Sequence, residues 1–541
     1  MKKIYLLLMA ALLPGMAMSQ TPFFTETSYR GAFGPVGTED WTAGWTEWDP
    51  QNVEYPAPTV VKSGTISADE TWASTDVVDL QGFVYVTNGA TLTIEPGCII
   101  RGDAATKGSL IITKGSFIDA QGTAESPIVF TSKADVGSRN VGDWGGIILL
   151  GDAPVNRPSA IIEGGLDAQY SSYGGTNAAD NSGVLSYVRI EFGGAIYTTD
   201  NEINGLTMGG IGSGTTIDHI QCSYINDDSF EWFGGTVNCK YLIAYGGIDD
   251  DFDTDYGYSG YVQFALGVRD PDNADAAGDS NGFESDNDGN GSNAKPQTSV
   301  IFSNVTLIGP YGLGGGSASQ YFGRGARIRR NSALSLFNSI VTDWGTTIRL
   351  DDAATRDNVG DTSLISNNLF VAVDGSNADY SVFGNAETKD ILMAMNDSLD
   401  GTAALDMVSP YGDDEALPLV NPDFRLAATS PAATGADFTS DLFAGLVITS
   451  IEDVITTSSL KLFPNPTADN VLLTLELKKA GQIQVNILDV TGRQLTQAVN
   501  KHMGATQEVV KLNTANLSNG LYMVQIVTEE GAVTKRLIVA R

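Results

Sequence analysis

From Ile217 to Asp272 the chain reads IDHIQCSYINDDSFEWFGGTVNCKYLIAYGGIDDDFDTDYGYSGYVQFALGVRDPD, and this stretch repeats itself at a spacing of 22 residues. At that spacing Ile220, Leu242 and Phe264 coincide, as do Cys222, Ala244 and Leu266, while Asp228, Asp250 and Asp272 form an acidic column. A short unit recurring at such a period cannot bury its apolar face alone, and stacking neighbouring units into a coil supplies the missing core. The stretch therefore predicts a solenoid.

Towards the N-terminus a second periodicity of 18 residues appears: Leu92, Leu110 and Ile128 share one column, and Ile94, Ile112, Phe130 and Ile148 the next. Each lies in a short alternating run bounded by Gly or Pro turns, the pattern of parallel strands stacked with one face inward. A period of 18 also suits a left-handed hexapeptide helix, but the later period of 22 and the irregular insertions favour the right-handed parallel β-helix. Apolar runs at 187–192, 299–308, 332–341 and 363–373 continue the coil, and 421–426 with Ser430-Pro431 reads as its closing turn. The expected organisation is a signal peptide over 1–19, a capping segment over 20–60, the β-helix over 61–445, a linker over 446–459 and a separate domain over 460–541. The aromatic residues of the capping segment, Phe23, Phe24, Tyr29, Trp41, Trp45 and Trp48, would cover the bare end of the coil.

Composition narrows the function classes. Gly is abundant at 61 residues in 541, which suits many turns rather than long helices. The formal net charge of -34 repels nucleic-acid phosphates and attracts cations, which argues against a nucleic-acid partner. Lys2 and Lys3 precede an apolar run from Ile4 to Leu13, with Ala17 and Ser19 before an expected cut at Gln20, as in an export signal. Beyond it no apolar run is long enough for a membrane span. Cys98, Cys222 and Cys239 are too few and odd in number for a disulfide framework, and the columns of Cys222 and Cys239 place both in the core.

Charge also divides the chain. Residues 460–541 carry a net +3, whereas residues 1–459 carry -37. The last segment has five alternating runs, with turns at Thr491-Gly492 and Ser518-Asn519-Gly520, which predict a small β-sandwich. The predicted fold class is thus all-β: a right-handed parallel β-helix followed by a small C-terminal β-sandwich.

Four blocks in this last segment carry a resemblance: Phe463-Pro464-Asn465-Pro466, Leu488-Asp489-Val490-Thr491-Gly492-Arg493, Leu517-Ser518-Asn519-Gly520-Leu521-Tyr522 and Lys535-Arg536-Leu537-Ile538-Val539. In this order they resemble the type A C-terminal sorting domain of type IX secretion cargo in Bacteroidota. The resemblance implies passage by Sec to the periplasm, then across the outer membrane through the type IX secretion machinery, to a secreted or cell-surface location. The body, from Gly31-Ala32-Phe33-Gly34 through residues 227–235, resembles uncharacterised pectate-lyase-like β-helix surface proteins of the same bacteria. That second resemblance implies a fold and no reaction.

Between Asp227 and Asp288 stand 15 carboxylates against two bases, Lys240 and Arg269. If Phe252 points inward, Asp251, Asp253 and Asp255 point outward, roughly 6.8 Å apart, and Glu231 stacks beside Asp253 at about 4.8 Å. Like charges that close repel by about 1 kcal/mol even in water. A cluster of hard oxygen ligands suits Ca²⁺, so Glu231, Asp251, Asp253, Asp255, Asp227, Asp228, Asp249 and Asp250 are the candidate ligands, with hydrated turns as the alternative. Asp286-Asn287-Asp288-Gly289 resembles the opening of a calcium loop, but Gln297 stands where its last acidic ligand belongs.

Trp232, Tyr256, Tyr258 and Tyr261 lie beside the acidic columns, where their faces would stack on sugar rings. The expected function is a calcium-stabilised binder of extended glycans. One alternative is a polysaccharide lyase or glycoside hydrolase, with Arg324, Arg327, Arg329 and Arg330 offering a base; the other is a structural or adhesive role. His219 and His502 are the only histidines, and His219 reads as a solvated strand position.

Overall fold

The computed structural model describes residues 23–158, 160–198, 201–276, 278–313, 318–373, 383–443, 446–448, 460–477, 481–488, 494–504, 506–528 and 531–541. The signal peptide, most of the linker and Gly492 lie outside these residues. The chain forms two compact units, one of residues 27–437 and one that contains residues 438–541 together with 23–26.

Among the described residues of the larger unit, 25 strands join one continuous system of parallel pairings, from Val60–Ile66 to Asp397–Asp400. Each coil contributes to three faces. On the first, Ser109–Ile112, Ile147–Leu150, Leu206–Gly209, Phe230–Phe233, Phe252–Asp255, Phe283–Ser285, Ala326–Ile328 and Ile348–Leu350 stack in register. The longer strands Gly183–Glu191, Thr216–Ser223, Asn238–Tyr245, Tyr261–Val268 and Ile301–Ile308 bend midway and supply the other two faces. Alternation turns one residue in two inward, so Leu206, Phe230, Phe252 and Phe283 meet Ile217, Cys239 and Val262 and then Ile220, Leu242 and Ala265 in a single buried core. This is the expected parallel β-helix, with Cys98, Cys222 and Cys239 all buried and free.

Two details of the periodicity differ from expectation. Ile220 and Leu242 pair, but Ala265 continues their column because the next coil is one residue longer; Phe264 moves to the bend, and Leu266 pairs with Ile243. The 18-residue period is not a coil: Leu92 pairs with Ile118, Leu110 with Ile147 and Ile128 with Val188, each on a different face. A step of 18 crosses two faces of a coil that takes 26 residues from Leu92 to Ile118.

The midway bend explains why aromatic residues recur there. Tyr187, His219, Tyr241 and Phe264 all have φ between 51° and 62°, a left-handed conformation that costs roughly 1–2 kcal/mol for a residue with a Cβ. Their rings stack at 4.2, 4.3 and 5.2 Å, so His219 is a half-buried rung between two tyrosines rather than a solvated position. In later coils Asn304 and Asn338 take over the bend, φ 55° and 53°, and their amides bond to backbone outside the coil, Tyr29 O at 3.1 Å and Asp437 O at 3.1 Å.

The segment expected to cap the coil does something else. Ala32 N–H donates to Thr306 Oγ1 at 2.9 Å, Trp41 lies 5.4 Å from Tyr241, Trp45 lies 5.6 Å from His219, Glu47 N–H donates to Gln221 Oε1, Tyr55 bonds to Glu191, and Pro56 O accepts from Arg101. Residues 30–56 therefore descend along the outside of the coil as a strap against its direction of winding. The stacked rings at the bend offer its tryptophans an apolar strip that an end cross-section would not. Phe23 and Phe24 belong to the other unit, where Phe24 packs 5.0 Å from Phe443. The expected closing turn is a strand, Asp423–Leu426, antiparallel to Met407–Ser409.

The smaller unit is the expected antiparallel sandwich. Lys461–Phe463, Asn470–Glu476 and Gln507–Asn513 form one sheet, and Gln494–Met503, Gly481–Leu488, Gly520–Thr528 and Gly531–Val539 the other. Leu473, Leu475, Ile483, Val485, Ile487, Val524, Ile526 and Leu537 fill the space between. Two of its strands, Lys461–Phe463 and Gln494–Met503, lie outside the five expected runs, which are 471–477, 483–488, 506–512, 522–527 and 533–539. Within the motif positions, Asn465, between Pro464 and Pro466, accepts the Ile538 N–H at 2.8 Å through Oδ1, Gly520 opens a strand, and Lys535 and Arg536 lie on the last one.

Candidate functional site

On the first face the outward positions stack as Thr207, Glu231, Asp253, Glu284, Arg327 and Arg349. Glu231 is placed outward by its inward neighbours Phe230 and Trp232, and it meets Asp253 one strand away, as the 22-residue spacing requires. Charge changes sign along this row. Glu284 is held by Arg327 at 3.5 Å and by Arg329, and Arg327 also meets Asp351 at 2.9 Å. Among the described residues no cation pairs with Glu231 or Asp253 in this way. Burial, then Glu163 and Asp253, pushes the Glu231 carboxyl well up; burial, then Glu284 and Asp250, does the same to Asp253.

The corner before this face carries a second ladder. Asp250 N–H donates to Asp228 Oδ1 at 2.9 Å, Asn281 N–H to Asp250 Oδ1 at 2.5 Å, and Arg324 N–H to Asn281 Oδ1 at 2.9 Å. Each side-chain oxygen thus fixes the turn of the following coil. The third member is Asn281 and not Asp272, because the coil from Phe252 to Phe283 is lengthened to 31 residues and carries Asp272 out into an exposed loop. Since an amide oxygen performs this task at 281, Asp228→Asn is expected to change the stability of the metal-free protein by less than about 1 kcal/mol at pH 4, where the carboxyl it replaces is uncharged, as urea unfolding would show.

The two ladders converge. Asp228, Glu231 and Asp253 each present a carboxylate oxygen within 4.8 Å of the others; Asp227, Asp228 and Asp249 form a second such group, and Asp250, Asp253 and Glu284 a third. Asn204, 1% exposed, donates through Nδ2 to Glu231 and to Thr207 Oγ1 at 3.2 Å. Its Oδ1 and Asp253 Oδ1 are buried without a hydrogen-bond partner. Glu163, brought over the face by the insertion between Ile147–Leu150 and Gly183–Glu191, is pushed up to about 7 by burial and by Glu202. Beside this centre Glu202, Asp227, Asp249 and Asp275 line an open pocket of about 570 Å³, and burial with Asp275 pushes Asp249 up to about 6.

Not every expected ligand joins. Asp255 sits two residues beyond Asp253, accepts the Tyr256 N–H at 2.6 Å and is outside all three groups. Asp251 turns into the core: it is fully buried 3.3 Å from a fully buried Arg269, whose guanidinium lies 5.6 Å from Trp344. Burial outweighs Arg269 and pushes Asp251 up to about 7. The arginines considered as bases are committed to ion pairs: Arg324 to Asp279, Arg327 to Asp279, Glu284 and Asp351, Arg329 to Glu284 and Asp286, and Arg330 to Asp286.

Of the aromatic residues expected to hold sugar rings, Trp232 and Tyr258 are fully buried and stack at 5.3 Å inside the coil. They follow the inward alternation of their coils and are core residues. Tyr256 and Tyr261 are half-buried, with Tyr256 stacked 5.9 Å from Phe233. Sequence reasoning misses Asn204 and Glu163, since neither lies in a repeat; Asn281 is legible only once the longer coil has been placed.

Residues 64–407 match the family described as the pectate-lyase like beta helix domain, and residues 461–540 match the secretion system C-terminal sorting domain. The first match spans more than half of the chain, and the chain belongs to that family. Its sorting domain is that of type IX secretion, which directs it through the secretion machinery to the cell surface or beyond. Among the described residues no helix is long and apolar enough to cross a membrane. Solved structures similar in fold include tailspike protein 2 from Escherichia coli O157:H7 bacteriophage CAB120, at 11% identity over 86% of this chain and 65% of that one, TM-score 0.26. Others are the enzymatically active domain of bacteriophage CBA120 tailspike protein 4, at 10% identity over 86% of this chain and 62% of that one, TM-score 0.21, and the Dettilon tailspike protein, at 8% over 81% and 86%, TM-score 0.20. The chain thus spans less than two thirds of the length of the first two. No curated protein matches it in sequence.

Proposed function

We propose that this surface-directed β-helix holds calcium on its carboxylate row and binds an extended glycan across the loaded face. The observation that carries the reading is the group Asp228, Glu231 and Asp253, whose oxygens converge within 4.8 Å beside the unpartnered Oδ1 atoms of Asp253 and Asn204. Hard oxygens are what Ca²⁺ takes, six to eight of them, with water completing the shell. A buried carboxylate row without cations is electrostatically costly, and a divalent ion offsets that cost directly. The half-buried Tyr261, and the rim of Tyr256, whose ring is stacked on Phe233 and lies under Arg157, supply aromatic contacts for sugar rings.

Retention of the purified protein on immobilised polysaccharides, with calcium and with chelator, tests this function. Binding should require calcium and fall at least about tenfold when Tyr256 and Tyr261 become alanine, the loss of roughly 1.4 kcal/mol of stacking. Retention indifferent to chelator, or unchanged by both substitutions, overturns the glycan face.

A further inference from the structure

We infer that the outward face of the three-stranded sheet in the sorting domain, built on Phe463, Leu472 and Val509 between Lys461 and Lys511, is the surface on which the secretion machinery docks. The inference is independent of the metal and of the glycan. Its starting point is what the motif positions do. Asn465 accepts the Ile538 N–H at 2.8 Å, Asn519 Oδ1 accepts the Arg541 N–H at 3.1 Å, and the Tyr522 hydroxyl donates to Ser518 O at 3.0 Å. These side chains are spent on bonds within the domain. They shape the sandwich, and a partner has to read something else.

The strand register supplies that surface. Phe463, Leu472 and Lys511 lie side by side across the three strands, and Lys461, Thr474 and Val509 form the neighbouring row. Leu462, Leu473, Leu475, Val510 and Leu512 pack into the domain core, so alternation turns both rows outward. Phe463 is 51% and Val509 59% exposed. With Leu472 they form an apolar diagonal over strands about 4.8 Å apart, with a lysine at each remaining corner. Of these residues only Phe463 belongs to a motif block. The described ion pairs of the domain, Lys501 with Glu508 and Arg541 with Asp469, engage neither lysine. An exposed aromatic and aliphatic patch rimmed by polar groups is the make-up of a protein interface.

The other sheet presents a different surface. Ile483, Val485 and Ile487 point into the core, which leaves Gln482, Gln484 and Asn486 outward. These are tied to Asn500, Gln497 and Gln525 by amide hydrogen bonds of 2.6, 3.3 and 3.4 Å. A partner docking there gains little, because it would exchange bonds that the amides already make with one another. Charge selects the partner as well. Residues 460–541 carry a net +3 against -37 for the rest of the chain, and uncommitted lysines at the corners of an apolar patch fit an apolar surface edged with carboxylates.

The test follows the full-length chain in a host that carries the type IX machinery, by immunoblotting the periplasm against the cell surface and medium. Phe463→Ser with Val509→Ser should lower the exported fraction at least about tenfold and leave folded chain in the periplasm, the scale of losing two central interface side chains. Lys461→Glu with Lys511→Glu should lower it about threefold or more. Gln482→Glu with Gln497→Glu, on the other sheet, should leave export unchanged. Thermal melts of each variant purified from the periplasm check the sandwich; if the serine pair melts early, the lysine reversal, confined to exposed side chains, decides alone. Export of both patch variants at the parent level, or an equal block from the other sheet, overturns the inference. So does a parent that sediments as a dimer and a serine pair that sediments as a monomer with export intact in both, since the patch would then join two copies of this chain.

Discussion

Replacing Trp45 by alanine is expected to lower the free energy of unfolding of the β-helix unit by about 3–5 kcal/mol, the usual cost of truncating a buried tryptophan. Trp45 is 1% exposed, its indole N–H donates to Trp41 O at 2.8 Å, and its ring meets Tyr187 at 5.8 Å and His219 at 5.6 Å, both edge-on. It therefore closes the strap over the bend, where the coil holds residues in a left-handed conformation that their own backbone disfavours. A solenoid is stabilised chiefly between neighbouring coils, whereas the strap runs from the level of Thr306 to that of Arg101 and ties distant coils together. Urea unfolding of Trp45→Ala should thus show a lower midpoint and, because the strap couples the coils, a less cooperative transition. Val61→Ala, at a position 57% exposed, should leave both unchanged. A Trp45→Ala midpoint equal to that of the parent would mean that the strap rests on the coil without holding it.

The strap also marks where sequence reasoning ran out. The alternation around Phe230, Trp232 and Phe252 is local, so the inward core and the pairing of Glu231 with Asp253 could be read directly from spacing. That same alternation places Trp232 inside with Phe230, so its position in the period, and not its aromatic character, decides that it is a core residue. Where coil length changes, spacing misleads: one extra residue moves Phe264 from the core column to the bend, and the long coil substitutes Asn281 for Asp272. Contacts between distant segments leave no period at all. Nothing near Trp45 announces His219, and nothing near Glu163 or Asn204 announces Glu231, so the strap and the cover of the carboxylate row could come only from the three-dimensional arrangement.

Calcium is expected to raise the melting temperature of the mature protein strongly at pH 7.5 and hardly at all near pH 4, and the metal-free protein is expected to lose stability between those limits. The sign follows from the direction of the shifts. Glu163 and Asp251 are pushed up to about 7, and Asp249 to about 6, from ordinary values of 4.5 for Glu and 3.8 for Asp. The folded chain thus holds these protons more tightly than the unfolded one. Below about pH 4 the groups are protonated in both states and cost nothing; as pH rises through the folded values they ionise against burial and against one another, and that stability is lost. A shift of the size seen at Glu163 corresponds to about 3 kcal/mol. Calcium binds the ionised carboxylates, so it opposes the loss where the loss occurs, and a hundredfold excess over Kd contributes about 2.7 kcal/mol per ion. Thermal melts in calcium and in chelator across this range would show the two curves meeting in acid and separating above about pH 6. Asp253→Asn or Glu231→Gln should close most of the gap at pH 7.5, since each removes a carboxylate from the converging group. Asp251→Asn should leave the gap in place, because that carboxyl faces Arg269 in the core. A gap of equal size at pH 4 and pH 7.5, or one that Asp251→Asn closes and Asp253→Asn does not, would remove the metal from the row.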